Sequence, residues 1–292
     1  MLIKKKSTPL LMFFFCFCVL GCSKYEEDKI SGNVAPPDLT IENTLYERYV
    51  TRSYILVLGR EPLATELSNS LNILQQGRLS DTSRIIYLQT VFANADYRNH
   101  VYEDTRFNLL RDNDSNDVQL FIYLFNNALM DTTQLQAWPI YQYELNRLNE
   151  LSVTKQLFLN DSIKMKAVHR RMVNNFFYDQ INMNAQNFVL AVFQQLINRA
   201  PTQSELQSGV NMVNGLNSSI LFQAGASKDD FLNIILNSDD YYEGQIVQLY
   251  NKYLLRPPNS QEMSAGTILY RNTGDYEKVQ IEILKSDAFV QY

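Results

Sequence analysis

From residue 42 onward the apolar positions recur with the period of a helix and not with the alternation of a strand. Leu45, Tyr49, Tyr54, Leu56 and Leu58 predict a first helix of about fifteen residues that stops at Gly59, because a glycine just past the last periodic residue is a common C-terminal stop. Residues 63–76 place Leu67, Leu71 and Leu74 at i, i+4 and i+7 and close at Gly77. A third helix, capped by Asp81 or Thr82, runs through Ile85, Ile86, Leu88 and Val91 towards Asn94-Ala95-Asp96-Tyr97. The same three-helix plan returns at 187–198, 203–213 and 229–236, ending at Ser238-Asp239-Asp240-Tyr241. It returns again at 245–255, 261–270 and 276–284, ending at Ser286-Asp287-Ala288-Phe289. Between the first and second units, residues 118–130 are apolar enough to be buried on more than one side. Residues 141–151 (Leu145, Leu148, Leu151) and 161–178 (Ile163, Met165, Val168, Met172, Phe176) predict two further helices, with Trp138 held extended by Pro139. Glycine is absent between Gly77 and Gly209, which suits long helices, and no alternating β segment stands out. The pattern predicts an all-α fold of helical units, about three helices each, packed into one or two helical globules. The expected units span 42–100, 185–242 and 243–292, with an intervening helical region at 101–184.

One stretch organises this pattern by occurring three times: YILVLGREPLATEL (54–67), FQQLINRAPTQSEL (193–206) and YNKYLLRPPNSQEM (250–263). Each copy has an aromatic residue six positions before an arginine (Tyr54/Arg60, Phe193/Arg199, Tyr250/Arg256). A proline follows two residues later (Pro62, Pro201, Pro258) and a glutamate six residues later (Glu66, Glu205, Glu262). Proline ends one helix and tolerates the first turn of the next. The glutamate then falls at the third helical position, where Thr202–Glu205 and Asn259–Glu262 have capping-box spacing; Leu63 leaves the first box incomplete. Each arginine stands at a helix C-terminus, favoured there by the dipole and within reach of the glutamate. A structural role therefore explains every recurring polar residue. From the arginines to the closing aspartates (Asp96, Asp239, Asp287) the spacing is 36, 40 and 31 residues, so the connections vary while the helices persist. The motif resembles short helical repeats of bacterial secreted proteins that are related in pattern to phycobilisome linker domains. The resemblance covers 45–100 and 187–292 and implies an interaction module more than an activity. Residues 178–188 look like a segment that precedes such units in Bacteroidetes lipoproteins.

The first residues change the picture of where the chain resides. Lys4, Lys5 and Lys6 precede an apolar run over 10–20, too short for a span of about 20 residues. It ends in Val19-Leu20-Gly21-Cys22, which resembles the bacterial lipoprotein box, although Leu20 stands where a small or β-branched residue is more usual. The resemblance implies a signal peptide over 1–21, lipidation of Cys22 and a membrane anchor; an ordinary secretory signal is the alternative. Of Cys16, Cys18 and Cys22 only the last would survive cleavage, so no disulfide framework is expected. Residues 22–41 are polar, contain Pro36-Pro37 and read as a tether. Within it, Lys24-Tyr25-Glu26-Glu27-Asp28 resembles the signal that exports Bacteroidetes lipoproteins to the cell surface, with a periplasm-facing outer-membrane location as the alternative. The net charge of −5 becomes −8 once the three leader lysines are removed, which gives no electrostatic reason to bind nucleic acid or anionic lipid.

Candidate chemistry is sparse. His100 and His169 are far apart in the chain, and His169, beside Arg170 and Arg171, reads as part of a solvated face. Asp112, Asp114 and Asn116 begin like a calcium loop, but Asp117 and Tyr123 occupy the positions of its glycine and its bidentate glutamate. The competing reading is a polar loop in which Asn116 or Asp117 caps the next helix. Glu103, Asp104, Glu144 and Glu150 could supply paired carboxylates only if folding brought two of them together. No Walker loop, dinucleotide fingerprint, zinc-protease motif or nucleophile elbow occurs, and no cofactor is expected. The expected function is a lipid-anchored helical module for protein interaction or assembly with envelope proteins. Two alternatives stay open: polysaccharide binding through exposed members of the eighteen tyrosines and sixteen phenylalanines, and an enzyme acting on envelope polymers.

Overall fold

Signals at the segment ends explain where helices begin and stop in the computed structural model, which describes residues 40–291; the expected signal peptide, Cys22 and residues 22–39 of the tether lie outside the described residues. Helix α1 (Thr40–Leu58) ends at Gly59, whose φ of 74° is the left-handed stop expected there. Helix α2 (Ala64–Gln76) closes differently: Gly77 keeps a negative φ, and the left-handed residues are Arg78 and Leu79. Helix α3 (Asp81–Phe92) is capped by Ser80 through the Ser83 amide, and not by Asp81 or Thr82. Asn94 does not end a three-helix unit. Its side chain caps α4 (Ala95–Leu110), so the expected boundary at residue 100 falls inside a helix.

In the intervening region α5 (Ser115–Ala128) leads through a 3₁₀ turn, Thr132–Ala137, to α6 (Trp138–Ser152). Trp138 is helical (φ −53°, ψ −44°) and not extended, because Pro139 sits in the first turn, where a missing N–H costs nothing. After α7 (Thr154–Leu159), the single helix expected at 161–178 is split into α8 (Met165–Val173) and α9 (Phe176–Ile181). Buried Asn175 makes the break: its amide donates to the Arg171 and Met172 carbonyls, and its oxygen accepts from the Phe177 and Tyr178 amides. Helix α10 (Ala185–Val192) continues into one π-helical turn, Phe193–Ile197.

Beyond α11 (Gln203–Val213) the chain forms an unexpected antiparallel hairpin, β1 (Ser218–Ile220) with β2 (Gln223–Gly225), whose tip residues Leu221 and Phe222 are both left-handed. This insertion is what lengthens the second unit. Helices α12 (Lys228–Asn237), α13 (Asp239–Leu254), α14 (Ser260–Thr273), α15 (Tyr276–Leu284) and α16 (Asp287–Gln291) complete the chain. Ser238 caps α13, so this helix begins at 239 and not at 245, and the expected boundary at 242 also cuts a helix. Apart from the hairpin and the connections, the described residues are helical, as the periodicity predicts.

The described residues belong to one compact unit, and the contacts that close it join the first helices to the last. Helix C-termini leave carbonyls without intrahelical partners. Side chains of α1 and α3 supply donors to several of them. Tyr49 donates to Leu284 O (3.1 Å), Arg52 to Tyr253 O (2.6 Å) and Phe289 O (3.1 Å), and Arg84 to Lys285 O (2.8 Å). Arg84 also pairs with Asp287 at 2.6 Å, and the Arg52 guanidinium lies 4.2 Å from the Phe289 ring centroid.

The residue before each motif arginine is left-handed: Gly59 (φ 74°), Asn198 (φ 60°) and Leu255 (φ 52°). Only the first is a glycine. A side chain at Gly59 would meet the His100 ring, with Cβ 2.6 Å from Nδ1, whereas Leu255 is exposed and carries the αL cost unrelieved. Leu255→Gly is therefore expected to stabilise the protein by about 0.5–1 kcal/mol, and Gly59→Ala to destabilise it by about 1–3 kcal/mol, in urea unfolding. A midpoint that falls for the first or is unchanged for the second would contradict this account.

Candidate functional site

The repeated residues build the same clamp three times. Each guanidinium lies over the aromatic ring six residues back, at 5.7 Å (Arg60/Tyr54), 5.1 Å (Arg199/Phe193) and 5.6 Å (Arg256/Tyr250) from the centroid. Each grips its glutamate with two nitrogens at 2.7–2.8 Å and donates to the carbonyl of the following residue. The same glutamates accept from the cap amides of Leu63, Thr202 and Asn259. Thr202 and Asn259 return the bond from their side chains; Leu63 has no acceptor, so the first box is half made, as its sequence predicts. The prolines sit just before the cap residues, outside the first helical turn where they were expected, and the cap residues that follow them are extended. Asp96 binds Arg60 at 2.7 Å and Asp240, not Asp239, binds Arg199. The corresponding third-copy residue is Ala288, and Asp287 goes to Arg84 instead. These nine motif residues are joints between helices and meet at no common centre.

A polar cavity of about 540 Å³ lies where α4, α13 and the π-helical turn face one another. The turn exposes the carbonyls of Gln195 and Leu196, and α13 supplies their donors: Gln248 Nε2 reaches Gln195 O at 2.7 Å and Gln245 Nε2 reaches Leu196 O at 2.9 Å. Gly244 permits this approach, since a Cβ there would lie 2.4 Å from Ile197 O. On the facing wall, Asp104 accepts from Lys252 at 3.1 Å and stands 3.4 Å from His100 Nε2. His169 closes part of the floor. It is buried, contrary to the solvated face expected, because Met165, Val168, His169 and Met172 share the inward side of α8. Its Nδ1 meets the Tyr241 hydroxyl at 2.9 Å, and burial lowers its pKa to about 4, so it is neutral at pH 7. The glutamines were missed in the sequence. The available signal was Gln245 standing between Tyr241 and Leu249 on an otherwise apolar helical face.

A second surface is apolar. Of residues 118–130, expected to be buried on several sides, only Val118 is fully buried. Phe121 and Phe125 pack inward on Phe176, with centroids at 4.7 and 5.5 Å. Leu120, Tyr123 and Leu124, at i, i+3 and i+4, point outward with 52, 63 and 45% of their area exposed. Met130, Leu135, Ile140 and Tyr143 are exposed on the same α5–α6 arm.

Of the remaining candidates, Asp114, Glu103 and Glu144 are occupied by structural contacts. Asp114 caps α5, accepting from the Asn116 and Asp117 amides, so neither Asn116 nor Asp117 is the cap. No group of three or more His, Cys, Asp or Glu side chains that could hold a metal occurs among the described residues, and Asp112, Asp114 and Asn116 form no such group. Glu103 pairs with Arg106 and Lys155, and Glu144 with Arg147. Set against known proteins, the chain matches no family model, no curated protein and no solved structure.

The clamps make stability depend on pH in a defined direction. Hydrogen bonds from Arg60 and Arg199 outweigh burial and hold the Glu66 and Glu205 carboxyls at about 2, against an ordinary 4.5. The unfolded chain therefore takes up these protons first as pH falls, so this stabilisation is complete above about pH 5 and is lost between 5 and 2. Urea midpoints measured across that range are expected to fall with acid, and the Glu66→Gln/Glu205→Gln variant to show a shallower fall from a lower starting value. An unchanged slope in the variant would remove the clamps from this account.

Proposed function

We propose that the protein is a lipid-anchored envelope module that binds another protein through the α5–α6 arm. The observation that carries this reading is the outward stripe of Leu120, Tyr123 and Leu124, an apolar helix face left exposed among the described residues. The charge around it selects the partner. From α5 through α6 the arm carries Asp117, Asp131, Glu144 and Glu150 against a single cation, Arg147, which pairs with Glu144, so its exposed side is acidic. Such an arm is repelled by anionic lipid and by a second copy of itself, and it fits a protein surface whose apolar groove is rimmed by basic residues. The lipidation of Cys22 and the outer-membrane, surface-facing location rest on the resemblance of residues 19–28 to lipoprotein signals. Polysaccharide binding on aromatic platforms has less support, because large aromatic side chains such as Tyr49, Tyr87, Tyr178, Phe193, Tyr241 and Phe231 lie in the core.

Two experiments test the two halves. In cells producing the full chain, a photo-crosslinker at residue 123 is expected to give a discrete protein adduct that weakens with added salt. Leu120→Asp/Leu124→Asp should reduce it about ten-fold or more, and a crosslinker at exposed Ile268 should not give it. Equal adducts at both positions, an adduct that persists in the double variant, or an adduct to the chain itself would overturn the reading. For the anchor, the wild type is expected in the detergent-extractable membrane fraction and Cys22→Ser in the soluble fraction; equal partitioning of the two would overturn it.

A further inference from the structure

We infer that the cavity between α4 and α13 binds a small organic monocarboxylate, with Arg111 as the anchor for the carboxylate. Arg111 follows the last residue of α4 and adopts φ 58°, ψ −130°. A Cβ crowds the backbone in this region, so glycine is the residue that fits there without strain. The chain instead keeps an arginine at this point, and its side chain lines the cavity. Most arginines of the fold are committed to a carboxylate, as in Arg60–Glu66, Arg84–Asp287 and Arg147–Asp179. The Arg111 guanidinium has no hydrogen bond or ion pair among the described residues. The dipole of α4 favours a cation at its C-terminus, but it does not require one on a strained backbone facing a cavity.

The charges of the lining call for one negative group. Asp104 and Lys252 cancel each other at 3.1 Å, and His169, whose pKa burial lowers to about 4, is neutral at pH 7. Arg111 is therefore the one uncompensated charge among the described lining residues. A planar guanidinium meets a carboxylate with two parallel hydrogen bonds, and a single positive charge balances a monoanion more closely than a phosphate dianion. A second donor stands near it. The Tyr178 hydroxyl donates to Gln195 Oε1 at 2.6 Å, which leaves Gln195 Nε2 without a partner among the described residues. Burial pushes the Tyr178 pKa up, the Asp179 charge adds to this and the Arg111 charge opposes it, so the guanidinium lies at the Gln195 end of the cavity. Asn108, one turn before Arg111 on α4, and Asn251 are exposed lining residues whose carboxamides can meet the ligand's other polar groups. A volume of about 540 Å³ falls within the range of small-molecule sites, roughly 300–1,000 Å³. The site shares no residue with the apolar arm, so either proposal can fail without the other.

The test titrates the chain without its signal peptide, by calorimetry at low salt, with matched probes: N-acetylglycine against N-acetylglycinamide, glucuronate against glucose, and inorganic phosphate. At least one carboxylate is expected to bind about ten-fold or more tightly than its neutral counterpart and than phosphate. Arg111→Gly should weaken that carboxylate about ten-fold or more while its urea midpoint stays level or rises, because glycine relieves the backbone. An arginine with a structural role alone would move the midpoint and leave the affinity unchanged. Arg78→Gly is the control: Arg78 is also left-handed (φ 48°) and its loss removes the same charge, but it does not line the cavity and should leave affinity intact. Binding of neither carboxylate, equal binding of a carboxylate and its neutral counterpart, or tighter binding of phosphate would overturn the assignment. So would Arg111→Gly and Arg78→Gly acting alike on affinity, or a midpoint that falls in Arg111→Gly.

Discussion

The rest of the structure depends on how a helix end is turned without leaving its polar groups stranded. At three places a left-handed residue swings the chain back, and the next residue is an arginine whose guanidinium has several jobs at once. It covers an aromatic ring of the helix just ended and neutralises the glutamate that caps the helix about to start. A left-handed non-glycine residue costs about 1–2 kcal/mol. One cation–π contact and a bidentate carboxylate pair together return more than that when partly buried. This balance explains why the turn persists with Asn198 and even Leu255 in the position that Gly59 fills without strain.

The clamp also decides where the next helix begins. In the first two copies Asp96 and Asp240, each in the first turn of α4 or α13, bind the same guanidinium. Three helix ends are thereby fixed to one cation, and α4 and α13 start from equivalent joints. The cavity lies between these two helices, and no clamp arginine or glutamate lines it. In the third copy Ala288 cannot bind, and the last helix is held from outside, by Arg84 on Asp287 and Arg52 on the Phe289 carbonyl. Loss of one internal tie is thus matched by the contacts that join the two ends of the described chain.

Much of this was legible from the sequence because it is local. Helical periodicity gave the all-α class, and proline, cap and glutamate spacing located the joints; α11 and α15 begin and end where their apolar periods do. What escaped was decided by tertiary contacts or by one residue serving two elements. Asn94 and Ser238 look like the end of a unit because apolar periodicity fades around them, yet each side chain opens a helix. Asn175 splits a continuous apolar period, since both sides of its amide group are used at once. Of the candidate site, the π-helical turn has no composition signal of its own and is visible only once α13 lies against it. The acidic bias of the α5–α6 arm was readable throughout, but it acquired meaning only when the outward face of α5 proved to be apolar.

The two surfaces left over by the fold differ in a way that separates their roles. A helix face with leucine and tyrosine at i, i+3 and i+4 gains from losing water, so it suits a large and shape-matched protein surface. A cavity lined by carboxamides and charged side chains gains little from desolvation alone. Neither surface uses the thrice-repeated residues, because an arginine already shared by a ring, a carboxylate and a carbonyl has no capacity left for a ligand. Repetition therefore marks the joints, and what the joints leave uncommitted are the unrepeated α5–α6 arm and the space between α4 and α13.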